Sequence, residues 1–271
     1  VIGIIAALPA EARTVSDRSG TGARRVLVSG VGAVAAGRAA AALLAAGATG
    51  LVSWGTAAGL GDDVASGTII VATGVVASSA STARRSRDDG AWADRLAAVL
   101  AARIASPDGA PAPLVRRGLI ADPAGVLRTP AEKRRLAATA GAVIADMETA
   151  AIADAATAAG RPWLAIRAVA DGVDVGLPRS VLRAIDDEGR MRYGRLAQEL
   201  LGHPGDALAL PAIARGFRLA LRALRMVADA GGPSLAFAAA TTSAPASAGP
   251  RTRVAPLATE VGIGGSAGGG A

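Results

Sequence analysis

The 271-residue sequence has no cysteine and a single histidine, His203. Disulfides, thiolate nucleophiles and cysteine-ligated metals are therefore excluded. One imidazole leaves too little for a histidine metal centre or a Ser-His-Asp triad, and no metal is expected. Aromatic residues make up only 2%. That shortage, and the absence of any recognition motif, argue against a nucleic-acid-binding module. Lysine is equally scarce: Lys133 is the only one, so the net charge of +7 rests on arginine. The chemistry left to this chain is that of carboxylates.

What is present in quantity is small and apolar. Hydrophobic residues are 51% of the chain, ample for one sizeable α/β domain, but many are alanine, which implies densely packed helices. The longest apolar run, 31–52, is mostly Ala and Gly and is broken by Arg38, so it reads as a turn and a core helix, not a membrane span. The apolar start at 1–8 has no basic lead-in and passes directly into Pro9 and Glu11, unlike a secretory signal. A cytoplasmic soluble enzyme is the expectation.

The stretch 143–171 organises the chain. A short strand at 143–145 leads into Asp146, Met147 and Glu148, an Ala-rich helix follows at 149–159, and Gly160 and Pro162 break it. The apolar run 163–170, interrupted only by Arg167, reads as a buried strand ending at Asp171. Asp146 and Glu148 suit helix capping as well as chemistry. Asp171, directly after a buried strand and before Gly172, has no helix to cap and stands where ligand crevices open.

Elsewhere the pattern predicts strands at 1–7, 26–30, 50–54, 67–76 and 114–121, and helices at 33–46, 92–105 and 130–140, the last with Thr129 as cap before Pro130. Gly30-Val31-Gly32 is only a partial dinucleotide fingerprint, because Ala35 stands where a glycine is needed; a nicotinamide cofactor is not expected. Residues 55–59 read as a small-residue turn whose amides and Thr56 hydroxyl suit an anion or an ordinary tight turn. Residues 78–90 and 107–113 read as loop and turn.

Beyond Asp174, residues 178–201 predict one or two helices. A long amphipathic helix follows at 208–228. Leu210, Ile213, Phe217, Leu221, Leu224 and Ala228 form its apolar stripe, beside Arg215, Arg218, Arg222 and Arg225. The pattern fits a helix packed on its own domain, and also one lying on an anionic membrane. The domains expected are a catalytic domain at 1–201, the basic helix at 202–230 and an Ala/Gly/Pro/Ser-rich disordered tail at 231–271.

Segments at 2–12 (IGIIAALPAEA), 29–40 (SGVGAVAAGRAA), 52–60 (VSWGTAAGL), 145–153 (ADMETAAIA) and 167–171 (RAVAD) occur in this order. Together they resemble the nucleoside phosphorylase superfamily, and particularly its methylthioadenosine/S-adenosylhomocysteine nucleosidases, over residues 1 to about 175. The SWGTAAGL turn, the PAEK segment and the Leu/Arg-rich helix after Pro-Gly-Asp resemble the hopanoid-associated phosphorylase branch.

The resemblance implies a three-layer αβα sandwich with a central mixed, mostly parallel sheet. It implies adenine release from a 5′-substituted adenosine, adenosylhopane in that branch, by phosphorolysis. No cofactor is implied beyond phosphate as co-substrate. A homo-oligomer and peripheral contact with an anionic membrane are also implied. Asp171 would be the acid at the leaving purine, Glu148 would hold the ribose hydroxyls over Met147, and Glu11 would activate water. Thr56 would face the nucleophile, Val126 and Leu127 would line the base pocket without the family's usual aromatic, and Gly55 and Arg167 would contact substrate. Arg13 and Thr56 would hold phosphate, though Glu11 beside them would repel it. Hydrolysis by a methylthioadenosine/S-adenosylhomocysteine nucleosidase is one alternative; a non-catalytic nucleoside-binding protein is another.

Overall fold

The first apolar run forms strand β1 (Ile2–Ala6), buried along its length because it pairs in parallel on both edges, with β2 (Arg24–Val28) and β3 (Gly50–Gly59). The computed structural model describes residues 1–16, 22–77, 90–104, 112–184, 186 and 192–238. Four further strands complete a mixed sheet: β4 (Ile69–Ala77), β5 (Val115–Asp122), β6 (Ile144–Ala145) and β7 (Trp163–Asp171). β3 runs parallel to β7, β5 is parallel to β4 and to β6, and the antiparallel pairs are β4 with β7 and β3 with β6. The strands β3, β7, β4, β5 and β6 therefore close on themselves, and β1 and β2 extend the sheet outward from β3.

Alternation along the strands divides the core into two layers. Ile2, Ile4, Val52, Trp54 and Ile166 face helices α1 (Pro9–Val15), α3 (Ala91–Arg103) and α8 (Leu210–Gly231). Ile5, Leu51, Ile70 and Ala165 face α2 (Ala33–Ala45) and α5 (Thr149–Ala158). A smaller cluster beside β5 and β6 receives Leu136 from α4 (Pro130–Ala140). Helices α6 (Arg179–Arg183) and α7 (Tyr193–Gly202) and a 3-10 turn (Pro204–Ala209) lead into α8. This is the layered α/β architecture, with a mixed and mostly parallel sheet, that the sequence pointed to.

Several expectations need correction. Pro9 does not only end β1; it occupies the first turn of α1, where its missing N–H is no loss. Residues 55–59 are not a turn: they continue β3, held in register by β7. The stretch 143–171 does fold as strand, helix and strand, but its two strands are not neighbours in the sheet: β6 lies between β3 and β5 while β7 lies between β3 and β4.

Helix α8 is no appendage, for residues Val1–Ala238 form one compact unit. Its buried face is Gly216, Ala220, Ala223, Leu224, Val227 and Ala228, rotated from the expected stripe. Small residues set that face because the helix lies directly on β7: a Cβ at Gly216 would meet the Ala170 carbonyl oxygen at 2.0 Å. The arginines at 215, 218, 222 and 225 are exposed. Among the described residues no helix is long and apolar enough to cross a membrane. The loop expected at 78–90 falls outside the described residues except for Gly90, the turn at 107–113 falls largely outside them, and the tail does so from residue 239 onward.

Candidate active site

The carboxyl ends of β3, β6 and β7 and the segment after β5 converge on a cavity of about 190 Å³. Its walls include Thr56, Ala57 and Ala58 from β3, Ala145 to Glu148 after β6, Ala170 and Asp171 ending β7, and Pro123, Gly125, Val126, Leu127 and Leu177. Crevices beyond strand carboxyl ends are the usual ligand positions of α/β sheets. Of the charged side chains lining it, all are acidic: Asp146, Glu148 and Asp171.

Asp171 stands at one end with a partner from α4. Thr129 caps that helix, its Oγ1 accepting from the Glu132 amide at 3.2 Å while the Glu132 carboxylate accepts from the Thr129 amide at 3.1 Å. The fixed first turn presents Lys133, fully buried, to Asp171: Nζ donates to Oδ2 at 2.5 Å and to the carbonyl oxygens of Gly172 and Val175, each at 2.8 Å. Burial pushes the Asp171 carboxyl above its ordinary range, and the Lys133 ammonium holds it back only in part.

The other end is organised by Arg167, pointing inward from the middle of β7 and only 1% exposed. Its Nε donates to Asp146 Oδ2 at 2.5 Å, and Nη2 donates to Ser53 Oγ at 2.7 Å and Thr149 Oγ1 at 3.1 Å. Glu148 Oε2 lies 3.9 Å from the same Nη2. Burial opposes the guanidinium charge, but Asp146, Glu148 and Glu11 more than offset it and hold Arg167 above its ordinary value. Asp146 also accepts the Glu148 and Thr149 amides at 3.2 and 3.0 Å, so it is the cap of α5 as well as the main partner of Arg167.

Glu148 accepts the Gly32 amide at 2.8 Å, which ties the glycine turn before α2 to the cavity. Burial, with Arg167 opposing and Asp146 adding to it, pushes its carboxyl up to about 7. Behind the β3 wall, Glu11 Oε1 accepts both the amide and the hydroxyl of Thr56 at 2.8 Å, and Oε2 accepts the Leu8 amide at 3.0 Å. Glu11 is also raised, by burial, against the pull of Arg167 and these donors. Gly55 is what allows this packing: a Cβ there would stand 2.5 Å from Arg167 Nη1 and 2.9 Å from the Glu11 carboxylate.

The structure thus brings Asp171, Glu148, Met147, Thr56, Val126 and Leu127 to one cavity. Glu11, Gly55 and Arg167 sit directly behind its wall and not on it. Arg13 is not brought to the cavity: α1 turns it to the exposed side while Glu11 faces inward. The anion-holding turn at 55–59 is corrected likewise, because the Thr56 amide and hydroxyl are both engaged by Glu11. Sequence reasoning missed Lys133, Ser53 and Thr149. A solitary lysine in an arginine-rich chain was the available signal for the first; the other two are short polar residues with no pattern. Among the described residues no group of His, Asp and Glu is placed to hold a metal.

No curated protein matches the chain. Solved structures do. A methylthioadenosine/S-adenosylhomocysteine nucleosidase from Neisseria meningitidis superposes with a TM-score of 0.58 at 18% identity, covering 84% of this chain and 97% of that one. A putative enzyme of the same description from Francisella philomiragia gives 0.60 at 15%, with 84% and 97% covered. A futalosine hydrolase mutant from Helicobacter pylori gives 0.57 at 14%, with 84% and 98% covered. At these identities the likeness shows a shared fold. The sequence profile of the phosphorylase superfamily matches residues 9–202, most of the chain, and the protein belongs to that superfamily.

Proposed function

We propose that the protein cleaves the N-glycosidic bond of a 5′-substituted adenosine and releases adenine, with water as the nucleophile. The observation that carries this is the joint exposure of Asp171, Glu148, Met147 and Thr56 to one cavity, with Glu11 bonded to Thr56 behind it. Breaking this bond leaves a cationic sugar and a poor anionic purine. An acid at the base and negative charge beside the sugar each lower the barrier. Asp171 supplies the first, at the imidazole-ring nitrogen. Glu148 binds the ribose hydroxyls over Met147. Glu11, raised by burial, takes up the Thr56 hydroxyl proton as that hydroxyl accepts the proton of the attacking water.

Water is favoured over phosphate by charge. The cavity wall carries no basic side chain among the described residues, and Arg167 is already committed to Asp146, Ser53 and Thr149. Incubation with methylthioadenosine, adenosine and S-adenosylhomocysteine, with and without phosphate, tests the reading. Adenine and free sugar should form without phosphate. Adenine release only with phosphate would restore phosphorolysis, and nucleoside binding without adenine release would leave a binding protein.

The adenosylhopane reading has support outside the cavity. Leu201 and Leu208 are 86% and 87% exposed, and the arginines of α8 are exposed as well. An apolar 5′-substituent anchored in an anionic bilayer would meet such a surface. The apolar face of α8 is spent on the domain core, so charge reversal of Arg218 and Arg225, and not removal of the helix, is the appropriate test. Vesicles rich in anionic lipid should retain the unaltered protein and release the variant, with cleavage of soluble nucleosides unchanged. Equal retention of both proteins would overturn the membrane contact.

A further inference from the structure

The chain's only lysine is not on its surface. Of 29 basic residues, Lys133 alone is lysine, and it is fully buried beside the carboxylate assigned above to the leaving base. A lysine ammonium has three N–H donors and no acceptor, and three acceptors surround Nζ: Asp171 Oδ2, Gly172 O and Val175 O. That set fits the charged amine and would leave a carbonyl unmatched around a neutral one. Arginine, with a planar fork in place of a tetrahedral head, does not satisfy this arrangement.

The contacts also have a direction. Lys133 bonds to Oδ2 of a carboxylate that also lines the cavity, so Oδ1 is the oxygen that Lys133 does not engage. Gly172 and Val175 belong to the segment that carries Leu177, a cavity residue whose amide donates to the Arg128 carbonyl at 2.9 Å. One ammonium thus joins α4, the end of β7 and the cavity wall after it. Arg128, just before α4, keeps its Nε buried without a hydrogen-bond partner, and several other charged groups on the surrounding elements are engaged elsewhere. Arg134 pairs with Asp174 and Asp62 at the surface, Glu132 caps α4, and Asp146 and Glu148 belong to Arg167 and Gly32 across the cavity. Asp122 ends β5 with a partner of its own.

We propose that Lys133 is the positioning residue for Asp171: it pins Oδ2, so that the proton delivered to the departing base resides on Oδ1, and its charge sets the pH at which Asp171 takes up that proton. This rests on the role given to Asp171 under the proposed function. A packing role would need only that Lys133 hold the segment in place. The two roles differ in what pH does.

The test is adenine release from methylthioadenosine as a function of pH by the wild type, Lys133→Met and Asp171→Asn. Methionine keeps the length and removes the charge. Loss of a neighbouring opposite charge moves a carboxyl by roughly 1–3 pH units. The limb of the kcat profile that reports Asp171 should therefore move upward by at least about one unit, with kcat down about tenfold or more and KM altered less. An equal loss at every pH, with no displaced limb, would overturn the proposal and leave a packing role. Should Asp171→Asn retain near-normal turnover, the proposed function fails first. If Asp171→Asn is inactive while Lys133→Met has an undisplaced limb, only this inference fails.

A second measurement needs no variant. Protein labelled with ¹⁵N-lysine has one side-chain resonance to follow. It should shift as adenine is titrated in, and again with pH along the activity limb. A resonance indifferent to both would refute the proposal even if Lys133→Met did not fold.

Discussion

The two ends of the cavity hold carboxylates by opposite means. At the Asp171 end one acid that lines the cavity faces one ammonium. At the Arg167 end one guanidinium serves Asp146 closely and Glu148 and Glu11 at longer range. The first arrangement is balanced and can gain or lose a proton locally. The second packs three carboxylates around one cation in low dielectric, where burial raises Glu148 and Glu11, with Asp146 adding to it at Glu148. Such an asymmetry suits a reaction that develops positive charge at one end of a bound molecule and negative charge at the other.

The sharpest way to break the comparison is Asp171→Asn. General acid catalysis is typically worth ~100- to 10,000-fold, and turnover should fall by about that factor; asparagine can still accept from Lys133 through its carbonyl oxygen, but the buried ammonium loses its counter-charge, so stability falls as well. Turnover near that of the wild type would remove Asp171 from the chemistry and with it the distinction between the ends.

Arg167→Met tests the other side. Removing one partner of a buried ion pair costs about 3–5 kcal/mol, since the remaining charges stay buried and unpaired. Here several carboxylates share the loss, so urea unfolding should show the upper part of that range. Lys133→Met should destabilise less, because Asp171 can escape by taking a proton. Similar losses in both variants would mean that the two ends are not organised differently.

The buried carboxyls also have a pH signature. Glu148 rises from an ordinary 4.5 to about 7, so between those values the folded protein holds a proton that the unfolded chain has released. Stability therefore falls as pH rises through this window, by about 3 kcal/mol for this group. Glu11 and Asp171 are raised too and act in the same direction. Glu148→Gln should flatten the slope by one group's share, as read from urea midpoints between pH 5 and 8. An unchanged slope would place the charge strain elsewhere.

How much of this could be read from the chain differs between the ends in the same way. The strand 163–171, the helix after Glu148 and the cap Thr129 were legible because they are local: an apolar run, a helix-breaking Gly-Pro pair, and a Thr-Pro start with Glu132 three residues after the cap. The extension of β3 through residues 55–59 was not, since small residues carry no strand signal and only pairing with β7 fixes them. The short β6 between β3 and β5 was hidden for a related reason. A two-residue strand is defined by its neighbours, not by its own side chains. Lys133 was legible as an oddity of composition, but its pairing with Asp171 spans 38 positions and depends on how α4 is set against the end of β7.

The smallest predicted effect separates position from stability at the Asp171 end. Thr129 touches neither Asp171 nor the cavity in the described contacts; it fixes the first turn of α4, from which Lys133 projects. Replacing an N-cap threonine by alanine typically costs about 1 kcal/mol. Lys133 is held by three acceptors on other segments, so a frayed first turn should still find its place in the folded state. Thr129→Ala should therefore lower the urea midpoint slightly while leaving kcat within about twofold and the pH limb of Asp171 where it was. A displaced limb would mean that the helix start itself sets the geometry of the ammonium. Lys133 would then be only the visible end of a longer support, and the Asp171 end would depend on distributed packing as much as the Arg167 end does.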